Sequence, residues 1–261
     1  MPLAHRSRSV VVTGGGRGVG RAVVERLLLD GAHVAAIELD ADALDWLTAH
    51  PAAIAVVGSA ADEDVAKEAA DRAERAAPLT GWVNNAAVFR DASVHTSSAH
   101  GVLDLVQMNL APAVVGSTTA VRRFLAAGRA GAIVNVSSHQ AQRAVPGCTP
   151  YVTAKAAIEG LTRALAVEYG GRGVRVNAVA LGSVATERYA AFLDGLGPKA
   201  AAQVEEEMQR IHPLGRVGTT AEVASVIAHL LSDDAAFVTG ATVPVDGGRS
   251  VLARDPEAHD T

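Results

Sequence analysis

Tyr151 and Lys155 stand four residues apart in Tyr151-Val152-Thr153-Ala154-Lys155. On a helix this spacing puts them one turn apart on one face. A phenol of ordinary pKa about 10 is a poor base at neutral pH, but a neighbouring ammonium favours phenolate and makes proton exchange with an alcohol feasible. Ser138 lies thirteen residues earlier, and its hydroxyl can hold a substrate oxygen while charge develops on it. The pair Y-x-x-x-K alone is a common chance match, so its meaning depends on the rest of the chain.

The second chemical feature is Thr13-Gly14-Gly15-Gly16-Arg17-Gly18-Val19-Gly20, with five glycines in seven residues between an apolar run and a helical pattern at Val19, Ala22, Val23 and Leu27. Without side chains, backbone N–H groups at Gly14, Gly16, Gly18, Val19 and Gly20 can approach a pyrophosphate, and a helix N-terminus adds partial positive charge. An acidic residue, Glu38, follows about 20 residues on at the end of the next apolar run, where a carboxylate can accept both hydroxyls of an adenosine ribose. This favours NAD, because a 2′-phosphate would meet like charge. Arg17 argues for NADP as the alternative, since it could reach that phosphate.

These residues need elements to carry them. Short apolar runs at Val10 to Thr13, His33 to Ile37, Ala53 to Val57, Trp82 to Asn85, Ala132 to Val136, Val174 to Val179 and Thr242 to Val245 predict seven buried strands. Between the third and fourth, Ala66, Ala69, Ala70, Ala73, Ala76 and Ala77 recur at helical spacing among charged residues, which predicts a surface helix. Another helix is expected from about 101 to 127, with Pro112 unable to donate to the carbonyl of Met108 and so able to kink it beside Asn109. Strands alternating with helices imply an α/β fold: a single-domain, Rossmann-like, doubly wound sheet of seven parallel strands with helices on both faces. We expect one domain over 1–261, with a core over 9–250, a lid over about 187–216 broken at Gly195, Gly197 and Pro198, and a polar tail over 253–261.

Composition narrows the function. A net charge of −5 and a pI near 6.0 give no electrostatic footprint for nucleic acid or an anionic membrane. The segment 1–9 lacks the apolar stretch of a signal peptide, and no run reaches the length of a membrane helix, so the expected compartment is the cytoplasm. The lone Cys148 excludes an internal disulfide and reads as packing or pocket wall; no residue set predicts a metal.

The motifs resemble those of the classical short-chain dehydrogenase/reductase family over residues 9–250. The glycine spacing is its TGxxxGxG form, Asn84-Asn85-Ala86-Ala87 resembles its NNAG segment, and Ser138 with Tyr151 and Lys155 matches its Ser and YxxxK positions. Asn177 to Gly182 and Val245-Asp246-Gly247-Gly248 are similar to its strand-six and C-terminal signatures. The resemblance implies an NAD(P)-dependent oxidoreductase interconverting a secondary alcohol and a ketone by hydride transfer. It makes Tyr151 the acid/base, gives Lys155 a grip on the nicotinamide ribose, and gives Asn109 a water in the proton path. Through it Leu39, Ser59, Ala60, Asn85, Ala86, Ala87, Leu181, Gly182, Val184 and Thr186 become cofactor contacts together with Tyr151 and Lys155. It also implies a homotetramer, with a dimer as second choice, and a small alcohol or ketone as partner. Alternatives are a non-catalytic nucleotide-sensing protein on this fold, an isomerase or dehydratase using bound cofactor transiently, and, as a narrower enzyme, a 3-oxoacyl thioester reductase.

Three positions depart from the pattern. Ala87 replaces a glycine, Leu181 the proline of a PG pair, and Ser59-Ala60 an Asp-Val pair; the last two predict a looser hold on the nicotinamide and adenine ends. Around the substrate, His139, Gln140, Arg143, Phe89, Val145, Cys148 and Val184 are expected to line or border the pocket, with His139 open between a structural role and a substrate contact.

Overall fold

In the computed structural model, which describes residues 7–90 and 92–253, seven parallel strands form one sheet in the order β3-β2-β1-β4-β5-β6-β9. They are β1 (Ser9–Thr13), β2 (His33–Glu38), β3 (Ala53–Val57), β4 (Leu79–Asn84), β5 (Gly131–Ser138), β6 (Val174–Leu181) and β9 (Thr242–Val245). All seven sequence-predicted strands are present, with β5 and β6 running two residues further than their apolar runs. Ser137 and Ser138 stay in the ladder because they pair with Ala180 and Leu181 of β6. Two short strands with no apolar signature, β7 (Val184–Ala185) and β8 (Gly218–Thr219), pair with each other outside the main sheet.

The sheet is buried on both faces, as alternating side chains show: Val10 and Val12 of β1 enter one apolar core and Val11 the other. Helices α1 (Gly18–Leu29) and α7 (Thr220–Leu231) cover the first core; α2 (Glu63–Ala76), α3 (Ala99–Ala126) and α4 (Thr149–Tyr169) cover the second. In α2 the buried residues are Ala66, Ala69, Ala70 and Ala73; of the remaining stripe residues Ala76 is exposed at the helix end, while Ala77, just past it, is buried. The helix α3 continues through the buried Pro112. Beyond β7, α5 (Glu187–Asp194) and α6 (Pro198–Ile211) contain no buried residue and occupy the segment read as a lid. Most of the predicted tail, 254–261, lies outside the described residues.

The strand order reverses direction between β1 and β4, so the loops at the C-terminal ends of these strands diverge and leave a crevice. Every chemical residue identified above is carried on the C-terminal ends of strands or on the elements that follow them.

Candidate active site

The glycine turn joins β1 to α1 at the crevice. Gly14 and Gly18 have left-handed φ values of 64° and 54°, which disfavour residues bearing a Cβ. Close packing adds a second requirement: a Cβ on Gly20 would lie 1.9 Å from the Gly14 carbonyl oxygen, and one on Gly14 would lie 3.0 Å from Ala86 Cα. Across the crevice, Asn85 Nδ2 donates to the carbonyls of Thr13 (3.1 Å) and Gly14 (3.0 Å). Thr13 Oγ1 accepts the N–H groups of Asn85 (2.9 Å) and Ala86 (3.0 Å). Thus Asn85 and Ala86 hold the turn from its far side, and Ala87 follows them half-buried.

Glu38 ends β2 with its carboxylate facing the turn, where Oε2 accepts the Gly16 N–H at 3.2 Å and Oε1 the Leu39 N–H at 2.9 Å. Leu39 itself is 73% exposed. Arg17 is engaged by Asp40, Nη2 to Oδ2 at 2.5 Å. Asp40 was not among the sequence candidates, although it stands only two residues beyond Glu38. Trp46, also missed, donates from Nε1 to the Gly16 carbonyl at 3.2 Å, and Arg21 lies 4.7 Å above its ring. Ser59 Oγ accepts the Ala61 N–H at 3.2 Å, and Ala60 beside it is buried. A Cβ-free cradle, a helix N-terminus and an acidic residue at the end of β2 fit a dinucleotide: the glycine turn and α1 would hold the pyrophosphate and Glu38 the adenosine ribose.

On the other side of the crevice, β5 delivers Ser138 and α4 delivers Tyr151 and Lys155. The Ser138 hydroxyl hydrogen-bonds the Tyr151 phenol and also accepts the Gln140 N–H at 3.2 Å. Lys155 is buried, with Nζ 5.4 Å from the Tyr151 ring centre and donating to the Val136 carbonyl at 2.7 Å. Burial pushes Tyr151 up to about 12, against the pull of the Ser138 hydrogen bond and the Arg188 charge. The expectation of a phenol lowered by its ammonium neighbour is therefore reversed here by desolvation. Desolvation also brings Lys155 down to about 8.

Asn109 is buried on α3, its Oδ1 accepting the Val88 N–H at 3.0 Å and its Nδ2 donating to the Leu105 carbonyl at 3.2 Å. It ties α3 to the loop after β4.

A buried polar chain fixes these elements to one another. Trp82 Nε1 donates to Asn84 Oδ1 (2.9 Å); Asn84 Nδ2 donates to Ser117 Oγ (3.0 Å) and Asn135 Oδ1 (2.8 Å); Asn135 Nδ2 donates to Thr162 Oγ1 (2.9 Å). One network thus spans β4, α3, β5 and α4. Glu159, buried one turn beyond Lys155, accepts from Ser137 Oγ (3.1 Å) and Gln142 Nε2 (3.1 Å) and braces the loop after β5.

Of the substrate-side residues, Phe89 and Cys148 come to Tyr151: the Phe89 ring is 5.3 Å from its ring, and Cys148 acts on its phenol electrostatically. Arg143 is exposed and donates to the Ser250 carbonyl at 3.0 Å. Val145 and Val184 are half-buried, and Val184 pairs with Gly218. His139 is buried with Nδ1 3.1 Å from the Leu181 carbonyl, which makes Nδ1 the protonated nitrogen. It holds Leu181 from below while the Gly182 N–H donates to Val245 at 3.0 Å, so the segment lacking its proline has replacement anchors. A Cβ on Gly182 would come within 2.7 Å of Asp246 Cα. Thr186 caps α5, its Oγ1 accepting the Tyr189 N–H. Arg188, which no sequence pattern marked, has its guanidinium 3.9 Å above the Phe89 ring.

The family model described as enoyl-(acyl carrier protein) reductase matches residues 14–250. The chain is 35% identical to 2-(S)-hydroxypropyl-CoM dehydrogenase 3 of Xanthobacter autotrophicus, over 95% of this chain and 98% of that protein. It is 33% identical to levodione reductase of Leifsonia aquatica, over 93% and 94% of the two chains. A crystal structure of levodione reductase superposes with a TM-score of 0.86 at 31% identity, covering 94% of this chain and 98% of that one.

Proposed function

The chain belongs to the short-chain dehydrogenase/reductase family and is an NAD(P)-dependent oxidoreductase acting on the CH–OH/C=O pair; from that premise we propose how its own residues divide the work. The observation that carries the reading is the meeting of Ser138, Tyr151 and Lys155 beside a glycine cradle at the β1/β4 crevice. When bound, the nicotinamide supplies the hydride acceptor or donor. Ser138 holds the substrate oxygen by donating its hydroxyl hydrogen. Tyr151 Oη gives a proton to that oxygen in carbonyl reduction and takes it back in alcohol oxidation. Lys155 fixes the floor of the site through Val136 and places positive charge beneath the phenol, with a second donor free for a ribose hydroxyl. Asn109 holds the wall between α3 and the loop after β4, where a water can relay the proton. At a pKa near 12 the phenol is protonated at neutral pH, ready as an acid. Alcohol oxidation needs the phenolate, so its kcat/KM rises with pH through the alkaline range.

The preferred cofactor in this reading is NAD. Glu38 is pinned facing the glycine turn, and Arg17 is already paired with Asp40. At about 5 Å and an effective dielectric near 20, a like charge costs roughly 3 kcal/mol, enough for a preference of about a hundredfold.

Turnover followed by the absorbance of the reduced nicotinamide, over a panel of secondary alcohols and ketones with both cofactors, tests both parts. Tyr151→Phe should lower kcat at least about a hundredfold while cofactor Kd stays within about twofold, and retained turnover would remove Tyr151 from its role. Glu38→Ala should raise the use of NADP relative to NAD; an unmoved ratio would show that Glu38 does not face the ribose. The assembly proposed is a homotetramer, in which α3 and α4 pair across subunits; Leu103, Met108, Val114 and Val167 on those helices are exposed apolar residues. Light scattering giving mainly a 26.7 kDa particle would contradict it.

A further inference from the structure

Arg188 occupies a position that its own helix does not favour. It is the second residue of α5, capped by Thr186, and a cation in the first turn opposes the helix dipole. Its acidic neighbour does not neutralise it. Glu187 turns to the glycine loop, with Oε2 3.6 Å from where a Cβ on Gly18 would stand. Among the described residues, Arg188 makes no ion pair or hydrogen bond. Its contact is the Phe89 ring at 3.9 Å, and that ring in turn lies 5.3 Å from the Tyr151 ring. A guanidinium seated over an aromatic ring spends no N–H group on an acceptor there, and two of its N–H groups match a carboxylate with parallel hydrogen bonds. The charge is near enough to act on the Tyr151 phenol, so a group bound to Arg188 would belong to a molecule whose other end reaches the reacting oxygen.

Resting on the oxidoreductase reading above, we propose that the substrate is an alcohol or ketone bearing a carboxylate or similar oxyanion, and that Arg188 holds that anion. Phe89 sets the guanidinium plane and forms the apolar wall along the spacer between the anion and the reacting carbon. Arg188 is then a specificity-determining residue, carried on the exposed segment after β7 rather than on the sheet.

The test is equilibrium binding by titration calorimetry to Tyr151→Phe protein, which cannot turn over its ligand. Oxidised cofactor is added first; failure to bind it would overturn the oxidoreductase reading and this proposal with it. A series of hydroxycycloalkane carboxylates of increasing size is then titrated onto the loaded protein, each beside its neutral carboxamide. The expected result is at least one pair in which the carboxylate binds about tenfold tighter or more, the size of one charge-assisted contact. Added Arg188→Ala should collapse that ratio to about one, and Arg188→Lys, which keeps the charge but not the fork, should restore part of it. Cofactor binding with no carboxylate preference in any pair, or a preference that survives Arg188→Ala, would overturn the assignment of Arg188 while leaving the oxidoreductase reading intact.

Discussion

The two sides of the β1/β4 crevice bring chemistry to the same edge of the sheet by opposite means. On the β1 side, backbone is exposed by leaving side chains out: Gly14 and Gly20 make a cradle in which a single methyl group would meet main chain, and Gly18 between them has a left-handed φ. On the β4 side, side chains are brought in and locked, with Asn84, Asn135, Ser117 and Thr162 satisfying one another between β4, β5, α3 and α4. A backbone cradle suits a ligand part that is the same in every turnover, because N–H groups offer few ways to vary. A side-chain site gives up generality for placed donors, and it bears the cost of burying them.

The largest effect expected from breaking this contrast is on the backbone side. Gly20→Ala puts a Cβ against the Gly14 carbonyl, an atom that cannot rotate away. The substitution should cost about 3 to 5 kcal/mol of stability, or open the turn and abolish cofactor binding. Denaturant unfolding together with cofactor titration reads both, and a variant unchanged in either would mean that the turn is more plastic than its packing implies.

Next in size is the cost of burial on the side-chain side. Lys155 titrates near 8 in the fold against 10.5 when unperturbed. Between these values the unfolded chain holds the proton more tightly than the folded one, so stability from this group rises with pH. Relative to Lys155→Met, the wild type should gain up to about 3 kcal/mol as pH climbs from below 8 to above 10.5, and lose it as pH falls back through 8. Thermal unfolding of both proteins across that range checks the sign; parallel curves would mean that the ammonium is not desolvated.

The same contrast explains how much could be read in the sequence. The glycine turn was legible because missing side chains leave a dense local pattern, and the seven strands because both faces are buried and the runs are wholly apolar. Ser138, Tyr151 and Lys155 were legible from their spacing on β5 and α4, and the structure brings all three together. Asp40, Trp46, Glu159 and Arg188 were not, since each acts on a residue remote in sequence or across a turn, and a single charged or aromatic side chain carries no periodicity. The direction of the Tyr151 shift was also out of reach: proximity to Lys155 follows from helical spacing, but the depth of burial that outweighs it depends on packing from Phe89, Cys148 and the loop after β5. The short β7 and β8 have no apolar run at all and pair only because the chain returns beside itself.

The smallest effect concerns a pair at the outer rim of the cradle. Arg17 and Asp40 are both well exposed, so their ion pair contributes under about 1 kcal/mol to stability. It can still decide where the guanidinium points. Asp40 also accepts the Asp42 N–H through Oδ1, and Asp40→Asn keeps that oxygen while removing the charge. Freed from its partner, Arg17 could turn toward a 2′-phosphate, but Glu38 would remain pinned by the Gly16 and Leu39 N–H groups and would still oppose it. The substitution should therefore raise kcat/KM for NADP by less than about tenfold, leave NAD nearly unchanged, and move Tm little. Arg17→Ala added to Asp40→Asn should erase the gain. If the single variant instead leaves the cofactor ratio where it was, Arg17 does not reach the ribose side of the cradle, and discrimination rests on Glu38 alone.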